Sequence, residues 1–157
     1  MSGVHSSVLK RADVASLGGI DMGHISVGGS INLAGANLQC QPSSLALGNA
    51  MVADSLYLTD YNGAAFHASG SVSLVQAEIK KFLEVSGAEL AELDCTGARI
   101  NELMWINIIH PANTKLTLVR TKIKILLDVK NSRPSILGGH PNPAIEGQLK
   151  TGHRGRA

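Results

Sequence analysis

The feature that most constrains this chain is an internal repeat. Two stretches, Val-Gly-Gly-Ser-Ile-Asn-Leu-Ala-Gly-Ala-Asn-Leu (27–38) and Ile-Lys-Lys-Phe-Leu-Glu-Val-Ser-Gly-Ala-Glu-Leu (79–90), share one frame. It runs as an apolar residue, two variable residues, a short strand, then Gly-Ala-x-apolar. Leu90 to Ile100 repeats it one residue shorter, and Val52 to Leu58 begins it again. The equivalent apolar positions are Val27, Val52, Ile79, Ile100 and Ile123, separated by 25, 27, 21 and 23 residues. Repeats of that length mark a solenoid whose coils differ in the loops they carry. The expected loops are Gln39–Leu45, Asp60–Phe66 and Asn107–Thr114, each rich in turn-forming residues.

A finer period lies inside the coils. Val85, Leu90, Cys95, Ile100 and Trp105 are five apart, and Leu83, Ala88, Leu93, Ala98 and Leu103 keep the same step two residues earlier. This is neither the helical period nor the alternation of a long strand. A chain that turns a corner every five residues explains it, with residues i−2 and i of each short face pointing inward. Four such faces make a coil close to the shortest spacing, 21 residues. The predicted fold is all-β, a single-stranded right-handed parallel β-helix with about five coils. Neighbouring coils must stack, about 4.8 Å apart, because one coil cannot bury its apolar edge alone. Each Ile, Leu or Val so buried contributes roughly 1.5–3 kcal/mol. Composition agrees: hydrophobic residues make up 44% and aromatics only 3%, so the core must be aliphatic.

The segment Gly-Ala-Glu-Leu-Ala-Glu-Leu-Asp-Cys-Thr-Gly-Ala-Arg-Ile (87–100) resembles pentapeptide-repeat proteins, whose unit reads small, polar, Leu or Phe, polar, Gly-like. A closer resemblance is to a group of bacterial repeat proteins. In these, phrases of the type G-A-R-I-G-G-x-L-x-L-x-G-A-x-L alternate with A-L-N-A-x-x-L-x-V-x-x-x-L-x-L. Ala-Leu-Gly-Asn-Ala-Met-Val-Ala-Asp-Ser-Leu-Tyr-Leu (46–58) matches the second phrase, and the likeness runs over residues 17–130. The resemblance implies a solenoid and leaves function open. Some chains of that group are labelled membrane-associated oxidoreductases, and no residues here support such an activity. Some pentapeptide-repeat proteins mimic DNA with acidic ladders. Residues 78–102 hold six acids against Lys80, Lys81 and Arg99, a weak ladder that the basic C-terminal part opposes. Gly28-Gly29 and Lys80-Lys81 add residues to the five-residue pattern, so a broader parallel β-helix is the structural alternative.

The 157 residues suit one domain. Its expected parts are an N-terminal cap over 1–17, the repeat domain over 18–130 and a flexible basic tail over 131–157. Residues 1–114 carry a net charge of −5 and residues 115–157 a net +7. A basic segment of this kind is a solvated tail, or else meets nucleic acid, anionic lipid or an acidic protein. Of these, nucleic acid is not expected. Lys122 to Lys130 alternates charge with apolar residues and reads as a final strand guarded by lysines. Met1 to Gly19 lacks the apolar stretch of a secretory leader, and no apolar run approaches a membrane-spanning helix. The expected location is the cytoplasm.

Motifs that carry chemistry are missing. Gly18-Gly19, Gly28-Gly29 and Gly138-Gly139 supply no dinucleotide fingerprint and read as corners. His5, His24, His67, His110, His140 and His153 show no ligand spacing, so no metal site is expected. Cys95 falls on the inward ladder as a structural thiol, while Cys40 lies beside a loop. Glu78, Glu84, Glu89, Glu92, Asp94 and Glu102 occupy mostly outward slots, as a solvated face or a carboxylate cluster. No catalytic residue, metal or small-molecule cofactor is expected. The candidate interaction surface is Trp105, Ile109, Lys122 and Lys124, because Met104 to Ile109 is the densest apolar stretch and aromatics favour interfaces. The same stretch could instead pack beneath the loop that follows it. Three functions stay open: a non-catalytic scaffold for an unknown protein partner, a self-assembling structural solenoid, and a redox or carbohydrate-active β-helix enzyme.

Overall fold

A computed structural model describes residues 19–128 and, beyond them, the backbone strands Ala15–Ser16, Ser135–Leu137 and Leu149–Thr151. Apart from these strands, the expected cap over 1–17 and tail over 131–157 lie outside the described residues. The chain is all-β, with parallel strands stacked as a solenoid of about five turns.

The repeat sets the register of the stack. Val27 pairs with Val52, Val52 with Ile79, Ile79 with Ile100, and Ile100 with Ile123. Each coil presents four faces, and each face turns two side chains inward. The first face buries Ala50 and Val52, then Ala77 and Ile79, then Ala98 and Ile100 in successive coils. The second buries Leu56 and Leu58, Leu83 and Val85, Leu103 and Trp105. The third buries Ala36 and Leu38, Phe66 and Ala68, Ala88 and Leu90; the fourth Leu45 and Leu47, Val72 and Leu74, Leu93 and Cys95. All ten residues of the two five-residue ladders are at most 3% exposed. On the third face one coil exchanges its large and small positions. Phe66 pairs with Ala88, and Ala68 pairs with Leu38 and Leu90, so bulk always faces a gap.

Corners interrupt the backbone ladder, and buried hydroxyls repair it. Between the first and second faces, Ser55 N–H donates to Ser30 Oγ and Phe82 N–H to Ser55 Oγ, both at 3.2 Å. Elsewhere Thr114 Oγ1 donates to Leu90 O at 2.8 Å, and Thr121 Oγ1 to Cys95 O at 2.7 Å. Gly70 N–H donates to Ser44 Oγ, which donates to Cys40 O. Ser44, Ser55, Thr114 and Thr121 are fully buried because each closes such a gap. Between the fourth and first faces His24, Asn49, Gln76, Gly97 and Arg120 all take positive φ, from 56 to 70°. One of the five is glycine, so composition does not announce this corner.

Extra residues accumulate at particular corners. The loops after Leu58 and around Pro111 lie where sequence places them, the second carrying a 3-10 turn, Pro111–Asn113. The first loop is shorter than expected. A strand, Ser43–Ala46, starts within Gln39–Leu45 because Ser43 pairs with Ser71. Lys80-Lys81 inserts one residue relative to the next coil, a bulge between Ile79 and Phe82.

Candidate functional site

The second face is unusual on its outer side. Strands Leu56–Thr59, Glu78–Ser86, Arg99–Ile106 and Lys122–Asp128 stack there. Tyr57, Glu84, Met104 and Leu127 form one outward row in direct register. Phe82, Glu102 and Ile125 flank it on one side, and Thr59, Ser86 and Ile106 on the other. All are half-buried. A parallel strand with apolar residues on both sides is normally covered on both sides. Glu84 sits inside this band. Burial among these neighbours raises its carboxyl above the usual range, and the charge of Asp60 raises it further. Beside the last two coils of the band, on the outer side of the first face, Arg99 pairs with Lys122 and Lys124 follows two residues on, a basic margin that ends at Glu78 in the coil before.

A groove opens where the third face turns into the fourth. Two middle coils make this turn tightly, at Ser69–Ser71 and at Ala91, while the coil before swings out over Gln39–Pro42 and the coil after over Ile109–Asn113. Loops from two coils therefore wall a floor made by the two between them. The groove holds about 680 Å³ beside Gln41, Pro42, Ser69, Ala91, Glu92 and Lys115. It continues into a hollow of about 220 Å³ beside His67, Glu89, Ile109, His110 and Asn113, sharing Ser69 and Ala91. Gln41 Nε2 donates to Ser69 O at 3.2 Å. Glu92 meets Lys115 at 3.2 Å, and Glu89 meets His67 Nδ1 at 3.3 Å. Ser69 Oγ is buried with no hydrogen-bond partner. An added Cβ at Gly70 would collide with the carbonyl oxygens of Cys40 and Pro42, so glycine is required for the wall to approach the floor.

The expected interaction residues do not form one surface. Trp105 is no surface residue: it is 1% exposed, pairs with Val85 and Asp128, and fills the inward position of its ladder. A large apolar ring gains most where water is excluded, and the five-residue step points it there. Ile109, 36% exposed, stands on the groove wall, whereas Lys122 and Lys124 are exposed on the first face. The acids do not gather on one face either. Glu78 lies on the first face, Glu84 and Glu102 on the second, Glu89 on the third, and Glu92 and Asp94 on the fourth. Cys95 is buried, and burial, with Asp94 adding to it, pushes its thiol far above the ordinary value. Among the described residues no group of three His, Cys, Asp or Glu side chains is placed to hold a metal ion. None of their helices is long and apolar enough to cross a membrane. No family model, curated protein or solved structure matches this chain.

Sequence could have disclosed the outer band and could not disclose the groove. Leu103 to Ile106 and Ile125 to Leu127 are consecutive apolar runs, which in a strand place apolar groups on both sides. The groove depends on loops about seventy residues apart that meet only through stacking.

Proposed function

We propose that this chain is a non-catalytic protein-interaction scaffold built on a pentapeptide-repeat-like coil. The observation that carries the reading is the apolar outer band of Tyr57, Phe82, Met104, Ile106, Ile125 and Leu127. Partly exposed apolar side chains on four successive coils, interrupted by Glu84 and Glu102 and continuous from Met104 and Ile106 to Ile125 and Leu127, favour a docked protein surface over open water. The basic margin of Arg99, Lys122 and Lys124 gives the partner its chemistry: an apolar patch with an acidic rim. Kinship to pentapeptide repeats is supported by the five-residue ladders from Leu83 to Trp105, each a two-residue inward face followed by a corner.

The test combines light scattering over a concentration series with affinity capture, using wild type and Met104→Lys. Met104 faces outward, so the variant keeps the fold. A monomer at every concentration, with captured proteins that Met104→Lys no longer retains, supports the scaffold. A mass that grows with concentration and is suppressed by Met104→Lys replaces it with self-assembly. Equal capture by both proteins removes the band from the function.

A further inference from the structure

We propose that the loop-walled groove at the turn from third to fourth face binds an extended peptide segment carrying a Lys or Arg side chain. The inference gives the scaffold a second docking site, on a different face from the apolar band, so either can fail alone.

Three observations converge on a peptide. The first is dimensional. The walls rise from coils three steps apart, so the two coils between them leave a floor about 10 Å wide at about 4.8 Å per step, the width an extended chain with its side chains needs. The second is the hydrogen-bonding pattern. The corner carbonyl of Ser69 is exposed enough to accept from Gln41 Nε2 at 3.2 Å. A carboxamide is chemically a peptide group, so the exposed Gln41 side chain occupies the place a partner's backbone N–H would take. Ser69 also carries a buried hydroxyl, Oγ, with no hydrogen-bond partner.

The third observation is charge and surface type. Lys115 neutralises Glu92 at 3.2 Å. Glu89, 44% exposed, has an imidazole beside it, and His67 Nδ1 can donate a hydrogen bond without carrying charge. With a neutral imidazole beside it, the Glu89 carboxylate keeps its charge for a cation. The walls present Pro42 and Ile109, apolar contacts for the residues on either side. No Phe, Tyr or Trp lines the groove, so it has no platform for a sugar ring or a base. The Glu89 carboxylate also repels phosphate.

The test is selection from a displayed library of random twelve-residue peptides on the full chain. Binding of the selected peptides is then measured on variants. Ala91 is exposed on the floor, so Ala91→Trp fills the groove without entering the core. Selected peptides should contain Lys or Arg, and Ala91→Trp and Glu89→Lys should each weaken them at least about tenfold. Glu89→Gln should weaken them less, and Met104→Lys not at all. Circular dichroism identical to wild type keeps the variants interpretable, with Glu89→Gln as the mildest. No enrichment, enrichment without a basic residue, or binding insensitive to Ala91→Trp would overturn the proposal. Binding lost in Met104→Lys alone would overturn the groove and leave the scaffold standing.

Discussion

The coil from Ile79 to Ile100 and the coil from Val52 to Ile79 bury the same pattern with 21 and 27 residues. The short coil uses nearly every residue for a face or a corner. The long coil adds its residues outside, in the loop between Leu58 and Phe66 and at the turn through Ser69–Ser71, where the register shifts against Leu90 and Glu92. Their interiors nonetheless stack in register, Leu83 on Leu56 and Val85 on Leu58. The lesson is a division of labour. Inward positions are fixed by the coil above and below, and so is the corner between the fourth and first faces, whereas the corners after the second and third faces vary in length. Grooves are therefore to be sought where corners are long, as at Gln39–Pro42 and Ile109–Asn113.

The harshest way to break this division is a charge on the short coil's inward ladder. Ile100→Asp or Leu93→Asp should cost more than about 4 kcal/mol and leave no cooperative unfolding in urea. A pair of matched insertions sharpens the contrast. Two glycines added after Gly63, at an exposed loop tip, should change stability by less than about 0.6 kcal/mol. The same two after Gly97 displace Ala98 and Ile100 from their ladders and should cost about 3 kcal/mol or more. Gly70→Ala should cost about 1–3 kcal/mol in the same urea titration, because its Cβ meets fixed carbonyl oxygens rather than a flexible side chain.

The smallest effect is a dependence on pH. Glu84 is raised above the ordinary carboxyl value, so the folded chain holds its proton more tightly than the unfolded chain. Its contribution is most favourable below the ordinary value and declines as pH rises through the raised one. Glu84→Gln should melt higher than wild type above that window and show a flatter Tm profile across it.

The coil is legible in the sequence because its signal is periodic. Val27, Val52, Ile79, Ile100 and Ile123 stack because each occupies the same inward slot, and a one-dimensional stack turns sequence spacing directly into contact. Trp105 shows the limit of reading residue type before position. Aromatic character suggests an interface, but its place five residues after Ile100 aims it at the core. Asn49, Gln76 and Arg120 hide a corner that glycine marks only at Gly97. The groove is not legible because loop residues carry no period, and the residues that face each other across it belong to different coils.

Stacked register is most directly tested by a spin-label distance between Ser26→Cys and Lys122→Cys in a Cys40→Ser background. Both positions are exposed on the first face, joined through Met51, Glu78 and Arg99, and buried Cys95 stays unlabelled. Four coil steps predict a narrow distribution near about 19 Å between backbones. A broad distribution centred near about 50 Å, as for an unstacked chain of that length, would contradict it.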